Sequence, residues 1–209
     1  MLQACRIGFD FTMHMRVVCE DMVARLPELA HVDLARVAIS FVQARKHGPF
    51  GLYASLTPMR FAGGARVERR RGRYYQSQTL CDAQGREMLY ILSFCLPRFM
   101  DLGFRDKLAT ILHELWHIGP RFDGDIRRHA GRCYAHSVSQ QRYDSAMLRL
   151  ADRWLTLGPA PAIYTFLHGR FEDLRQQHGR IYGLKVARPK LLPITAEESH
   201  RIQASEVRS

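Results

Sequence analysis

The stretch FRDKLATILHELWHIGPRFDGDIRRHAGRCYAH, residues 104–136, contains the pattern around which the chain is organised, His113-Glu114-Leu115-Trp116-His117. Histidines at positions i and i+4 of a helix lie one above the other on the same face. Two imidazoles placed in this way can bind one zinc ion at about 2.0–2.1 Å each. The glutamate beside the first histidine can then act as general base on a water molecule that the metal activates.

The residues around this pattern predict a helix. Apolar side chains recur with the three- and four-residue spacing of an amphipathic helix, at Phe104, Leu108, Ile111, Leu112 and Leu115. At about 100° per residue, His113 and His117 fall roughly opposite this stripe. We therefore expect the stripe to face the core and the histidines to face a cleft, with Gly119-Pro120 ending the helix. The alternative is a pair of unrelated surface histidines.

A catalytic zinc site needs a third protein ligand and an open position. His129 is favoured, because it follows the glycine-containing loop FDGDIRR and stands where a second helix is predicted to begin. Asp123 occupies the third-ligand position of the longer pattern HExxHxxGxxH/D, but Pro120 stands where that pattern has its glycine. Three further alternatives lie downstream, at His136, Asp144 and Glu172.

This segment resembles a known family. HELWHIGPRFDGDIRRH, residues 113–129, resembles the motif HELxHI-x-P-x-x-(D)G-x-x-R-x-H of metallopeptidases from bacteria, archaea and phages. It is similar, more distantly, to the minimal zincins of the SprT-like (Spartan) group, in which the third histidine precedes a small residue and an aromatic one, here Gly131 and Tyr134. The resemblance is specific over residues 104–136 and weaker over residues 10–100.

The resemblance implies an activity and a set of ligands. It implies a zinc-dependent metallopeptidase in which a metal-activated water hydrolyses peptide bonds of a peptide or protein substrate. Glu114 is then the general base, and the Zn²⁺ ligands are His113, His117 and His129. A second group that stabilises the oxyanion is also expected. The candidates are Tyr134, His136, Arg127 and Arg128, and the sequence does not choose among them.

The segments before the motif predict an α+β fold. Residues 11–28 form an amphipathic helix with Asp10 as N-cap. Residues 36–44 and 51–57 are predicted to form an antiparallel hairpin, and residues 87–96 form a third strand whose near-continuous apolarity favours a central position. We expect a minimal zincin-like core, in which a small antiparallel or mixed sheet of about three strands packs against the HExxH helix, with additional helices after it. A peptide can bind by adding a strand to the sheet edge.

Length and composition indicate one cytoplasmic domain. Residues 1–192 are predicted to be a single domain, and residues 193–209, which lose hydrophobic periodicity, a disordered basic and polar tail. The five cysteines form no CxxC pair, which disfavours a disulfide framework and a zinc finger and favours a reducing compartment. No apolar run approaches the roughly 20 residues of a membrane span.

The net charge of +11 favours acidic partners. Arg69, Arg70 and Arg71 stand beside Tyr74 and Tyr75, a combination that can bind single-stranded nucleic acid through phosphate contacts and base stacking. The alternative function is therefore a nucleic-acid-associated protein with a structural zinc, or a protease acting on DNA-bound proteins. The arginine run can equally be a solvated, mobile hairpin.

Overall fold

The computed structural model describes residues 8–43, 51–128 and 140–206. Its strands are β1 (Phe9–Asp10), β2 (Val37–Gln43), β3 (Ala54–Pro58), β4 (Val67–Arg70), β5 (Arg73–Ser77), β6 (Tyr90–Leu96), β7 (Ile181–Tyr182) and β8 (Leu191–Ile194). Its helices are α1 (Phe11–Arg25), α2 (Phe104–Trp116), α3 (Gln140–Thr156), α4 (Pro161–Tyr164), α5 (Phe171–His178) and α6 (Ala196–Glu206). The protein is therefore α+β. Within these ranges no helix has the length and apolarity needed to cross a membrane.

The central sheet is mixed and has the order β2-β6-β3, with β6 parallel to β2 and antiparallel to β3. The predicted hairpin of residues 36–44 and 51–57 is therefore wrong, because β6 lies between those two strands. All seven residues of β6 are buried. A strand this apolar is most stable with a partner on each side and cover on both faces, which accounts for its central place.

The helices α1 and α2 both pack against the central sheet, and the sequence predicts this packing for α2. The side chain of Asp10 accepts a hydrogen bond from the backbone N–H of Met13 at 3.0 Å and caps α1. The apolar stripe of α2 is fully buried at Leu108, Ile111, Leu112 and Leu115. α3 packs against α2 and joins α1 through Trp154, whose indole N–H donates to Asp21 at 2.8 Å. The position of α2 between sheet and α3 fixes the direction in which its histidines face.

The predicted disordered tail over residues 193–209 is wrong for its described part, residues 193–206. β8 pairs antiparallel with β5 and completes a second sheet of order β4-β5-β8. α6 then begins with a capping box, in which the backbone N–H of Glu198 donates to the Thr195 hydroxyl at 3.2 Å and that of Thr195 donates to the Glu198 carboxylate at 2.8 Å. The sequence Thr195-Ala-Glu-Glu198 carries this S/T-x-x-E signal, which hydrophobic periodicity alone does not detect.

Candidate metal centre

Helix α2 brings its two histidines together as the spacing predicts. The Nε2 atoms of His113 and His117 lie 3.0 Å apart, and their ring centroids are 4.7 Å apart. Two nitrogens bound to one tetrahedral zinc ion at about 2.0–2.1 Å lie roughly 3.3 Å from each other. The observed separation is shorter than this by a few tenths of an ångström, so a small side-chain rotation suffices. Imidazole nitrogen is also a preferred zinc ligand, and the pair therefore fits the metal.

Glu114 lies between these histidines in sequence and is almost fully buried, with 9% of its surface exposed. Burial raises the pKa of its carboxyl to about 7, and a hydrogen bond from the backbone N–H of Leu56 opposes that rise. The Leu56 residue belongs to β3, so the glutamate connects the helix to the neighbouring strand. A carboxyl with a pKa near neutrality is suited to take up and return a proton.

Strand β3 forms one edge of the central sheet. Tyr53 accepts a hydrogen bond from Cys95 and Met59 donates one to Leu89, so alternate residues of β3 are bonded to β6. The residues between them, Ala54, Leu56 and Pro58, direct their backbone groups to the outer side. Pro58, which has no N–H, is tolerated there because an outer edge position requires no donor to a neighbouring strand. Among the described residues no strand pairs with this outer edge.

A cleft of about 500 Å³ opens between this strand and the helices α2 and α3. His113 and Glu114 line it, together with the carboxylates Asp106 and Asp144 and with apolar side chains that include Met147. This volume lies within the range of about 300–1,000 Å³ that is usual for ligand sites. The cleft therefore gives a ligand access to His113 and Glu114 of the motif.

The loop after α2 folds back onto the end of the helix. Ile118 and Ile126 form a β-bridge, and the backbone N–H of Arg127 donates to the carbonyl of His117 at 2.7 Å. The turn is held from inside by the buried hydroxyl of Tyr90, which donates to the Asp125 carbonyl at 2.9 Å and accepts from the Gly124 N–H at 3.0 Å. The chain is thereby returned to His117 immediately before the predicted third ligand.

The predicted third ligand, His129, and its alternative His136 lie outside the described residues, as does Tyr134. Asp123 accepts from the Asp125 N–H at 3.1 Å and pairs with Arg121 at 3.0 Å, so its carboxylate serves the loop. Within residues 8–43, 51–128 and 140–206, no group of three His, Cys, Asp or Glu side chains is arranged to hold a metal. Asp123, Asp144 and Glu172 therefore do not complete the histidine pair in the described chain.

The two arginine candidates for the oxyanion stabiliser are engaged with the same loop. Arg127 donates through Nε to the Trp116 carbonyl at 2.9 Å, and its guanidinium lies 4.4 Å from the centre of the Trp116 ring. Arg128 donates to the buried carboxylate of Asp125 at 2.8 Å. Both contacts stabilise the return of the chain to the helix.

Sequence reasoning missed an aromatic residue of the site. The ring of Tyr143, on α3, lies 4.8 Å from that of His113 at 88° and 6.5 Å from that of His117 at 27°, measured between centroids. Burial raises the pKa of Tyr143, and the neighbouring Glu114 adds to the rise. No motif marks this position, since α3 lies beyond the third-ligand segment and its approach to α2 is a tertiary contact.

The arginine run forms the hairpin of β4 and β5 in the second sheet. Arg69, Arg70 and Arg71 are exposed, and Arg71 and Gly72 make the turn with φ values of 48° and 81°. The Arg69 guanidinium lies 5.7 Å from the centre of the Tyr74 ring, whereas Arg70 pairs with Glu68. The hairpin is therefore a basic surface that is anchored to β8.

Comparison with known proteins identifies no relative. No family model matches the chain, and neither a curated protein nor a solved structure matches it. A function for the protein must therefore be inferred from the geometry of the site and from the HExxH motif.

Proposed function

We propose that the protein is a zinc-dependent metallopeptidase with a minimal zincin arrangement of helix and sheet edge. The observation that carries the proposal is the position of the His113–His117 pair, with Nε2 atoms 3.0 Å apart, beside a buried Glu114 that accepts a hydrogen bond from the edge strand. A surface pair of histidines without function requires neither the buried acid nor the cleft. The combination supports hydrolysis.

The ligands are His113, His117 and, by sequence, His129. Support for His129 comes from the return loop. The backbone N–H of Arg127 donates to the His117 carbonyl, and His129 follows Arg127 by only two residues. A bound zinc ion supplies Lewis-acid activation of water and of the peptide carbonyl. Glu114 takes the proton of the attacking water, whose oxygen bonds to the carbonyl carbon, and then delivers that proton to the leaving amine nitrogen.

The outer edge of β3 supports a peptide substrate. Ala54 offers an outward N–H and C=O and Leu56 an outward C=O, which are the groups that an added extended strand uses. Glu114 is hydrogen-bonded to that same edge, so a peptide bound there passes the general base. Backbone hydrogen bonds form with almost any amino-acid sequence, so binding at this edge depends little on the substrate's side chains. An unfolded protein is therefore a suitable first substrate.

Metal removal tests the proposal. We expect the wild-type protein to cleave fluorescently labelled, unfolded casein, and 1,10-phenanthroline to abolish the cleavage, since the chelator removes the Lewis acid. Addition of zinc in slight excess after dialysis should restore activity. The isomer 1,7-phenanthroline, which does not chelate, is the matched control. Cleavage that is insensitive to both compounds, or a zinc-loaded protein that cleaves nothing, contradicts the proposal.

The exposed hairpin favours a second candidate function, binding of single-stranded nucleic acid. Arg69 and Arg71 are the arginines of the run without a carboxylate partner among the described residues. Nucleic-acid binding is compatible with a protein whose zinc is structural and equally with a protease that acts on DNA-bound proteins. Only the protease cleaves a protein substrate, and only its cleavage is abolished by chelation of zinc.

The double substitution Arg69→Ala/Arg71→Ala is expected to weaken binding of a single-stranded oligonucleotide. Each lost phosphate contact reduces the slope of log K against log salt by about 0.7, so the slope should fall by about 1.4. Fluorescence anisotropy over a salt series measures it. Arg149→Ala/Arg188→Ala, which removes the same charge from other exposed positions, is the control. Equal slopes in the two double variants would exclude the hairpin as the binding surface.

A further inference from the structure

Helix α3 places a tyrosine against both histidines of the site. The Tyr143 ring is perpendicular to that of His113 at 4.8 Å and nearly parallel to that of His117 at 6.5 Å. Its neighbours Asp144 and Met147 line the cleft that contains Glu114. The tyrosine therefore lies against the two histidines, next to the residues of α3 that line the cleft.

The hydroxyl of Tyr143 is buried and has no hydrogen-bond partner among the described residues. A buried tyrosine hydroxyl normally finds a partner, because a polar group that is buried without one loses its hydrogen bonds to water and gains none in return. Core packing accounts for the ring, which phenylalanine would supply equally well. It does not account for the hydroxyl, and a partner that arrives with the substrate does.

The charged groups around the hydroxyl are those of the candidate active site. Glu114 and Arg127 interact electrostatically with Tyr143, as does the adjacent Asp144. Arg127 is held toward the end of α2 by its bond to the Trp116 carbonyl, so it is a poorer donor to a substrate in the cleft. A phenol is protonated at neutral pH and can donate one hydrogen bond.

We propose that the Tyr143 hydroxyl donates a hydrogen bond to the oxyanion formed when the peptide carbonyl is attacked, which makes it a catalytic residue of the proposed peptidase. The inference rests on the proposed function. As the water oxygen bonds to the carbonyl carbon, the carbonyl π electrons move to its oxygen, where Tyr143 stabilises the negative charge. On collapse the C–N bond breaks and the amine takes its proton from Glu114. Tyr143 keeps its proton throughout.

Tyr143→Phe tests the inference, because it removes the hydroxyl and keeps the ring. For a fluorescence-quenched peptide, kcat should fall by about 10²–10³-fold while KM changes less than about twofold. Affinity for a peptide phosphinate, which mimics the tetrahedral oxyanion, should fall in parallel in calorimetry. Zinc content should be unchanged. Tyr164→Phe, in the aromatic cluster with Phe104 and Trp154, is the matched control.

The contrary outcomes separate this inference from the proposed function. If wild type and Tyr143→Phe hydrolyse the peptide and bind the phosphinate within twofold of each other, the hydroxyl has no catalytic role and the peptidase assignment stands. If Tyr143→Phe lowers the unfolding free energy together with the activity, the hydroxyl is structural and the inference is overturned. If wild type binds no zinc and cleaves no peptide, both proposals fail together.

Discussion

Glu114→Gln is expected to lower kcat for peptide hydrolysis by about 10²–10⁴-fold while the protein keeps its zinc. The amide has nearly the shape of the carboxylate but cannot take the proton of the attacking water. Because Glu114 is buried beside Leu56, removal of its charge also relieves a desolvation cost, and stability should stay equal or rise. Peptide hydrolysis, elemental analysis of zinc and urea unfolding on the same preparation measure the three quantities.

Glu172→Gln is the matched control for this substitution. Glu172 is an exposed carboxylate of α5 that pairs with Arg175 at 2.8 Å and borders a different cavity from the one that Glu114 lines. The same chemical change there should leave kcat unaltered. If Glu114→Gln retains more than about a tenth of wild-type kcat, another group is the base. Loss of zinc from Glu114→Gln would instead give the carboxylate a role in metal binding.

The HExxH helix could be predicted because its information is local. The apolar residues from Phe104 to Leu115 recur at the three- and four-residue spacing of an α-helix. This spacing predicts both the helix and the face that is buried. The four-residue spacing of His113 and His117 then determines their approach without any knowledge of the rest of the chain. The inward face of the helix and the proximity of the two imidazoles follow from these few positions. The helix itself ends at Trp116, with His117 as C-cap, before the predicted stop at Gly119-Pro120.

The strand order could not be predicted in the same way. Successive strands are often neighbours, and residues 36–44 and 51–57 therefore suggested a hairpin. β6 lies between them only because its seven buried residues need cover on both sides, and this competition for the central place is not local. The order matters for the site, since it leaves β3 at the edge, with Leu56 against Glu114.

Residues that serve the site through tertiary contacts were also beyond the sequence. Tyr143 is a half-buried helix position and Tyr90 belongs to a uniformly apolar strand, so periodicity predicts that both pack, and no motif assigns either of them to the site. Their roles depend on how α3 and β6 approach the motif helix and its loop. By contrast, the Thr195–Glu198 capping box can be recognised in the sequence, because a capping box is a local pattern of four residues at the start of a helix.

His113→Ala and His117→Ala are each expected to reduce bound zinc from about one ion per chain to less than about a tenth. Removal of a partner beyond the ligand sphere already costs about 10–100-fold in metal affinity, and removal of a ligand should cost more. His200→Ala, an exposed histidine of α6, is the control and should keep its zinc. Elemental analysis after dialysis against a weak chelator gives the stoichiometry.

Thermal unfolding gives an independent measure of the same loss. A ligand at 100 times its Kd stabilises the native state by about 2.7 kcal/mol, so added zinc should raise the Tm of wild type and of His200→Ala but not that of His117→Ala. His129→Ala should behave like His117→Ala, whereas Asp123→Ala should keep zinc, because the Asp123 carboxylate is bonded within the loop. If His129→Ala keeps zinc and Asp123→Ala loses it, Asp123 and not His129 is the third ligand. Zinc retained by His117→Ala would contradict the metal centre itself, since the 3.0 Å approach of the two Nε2 atoms would then have no role in binding.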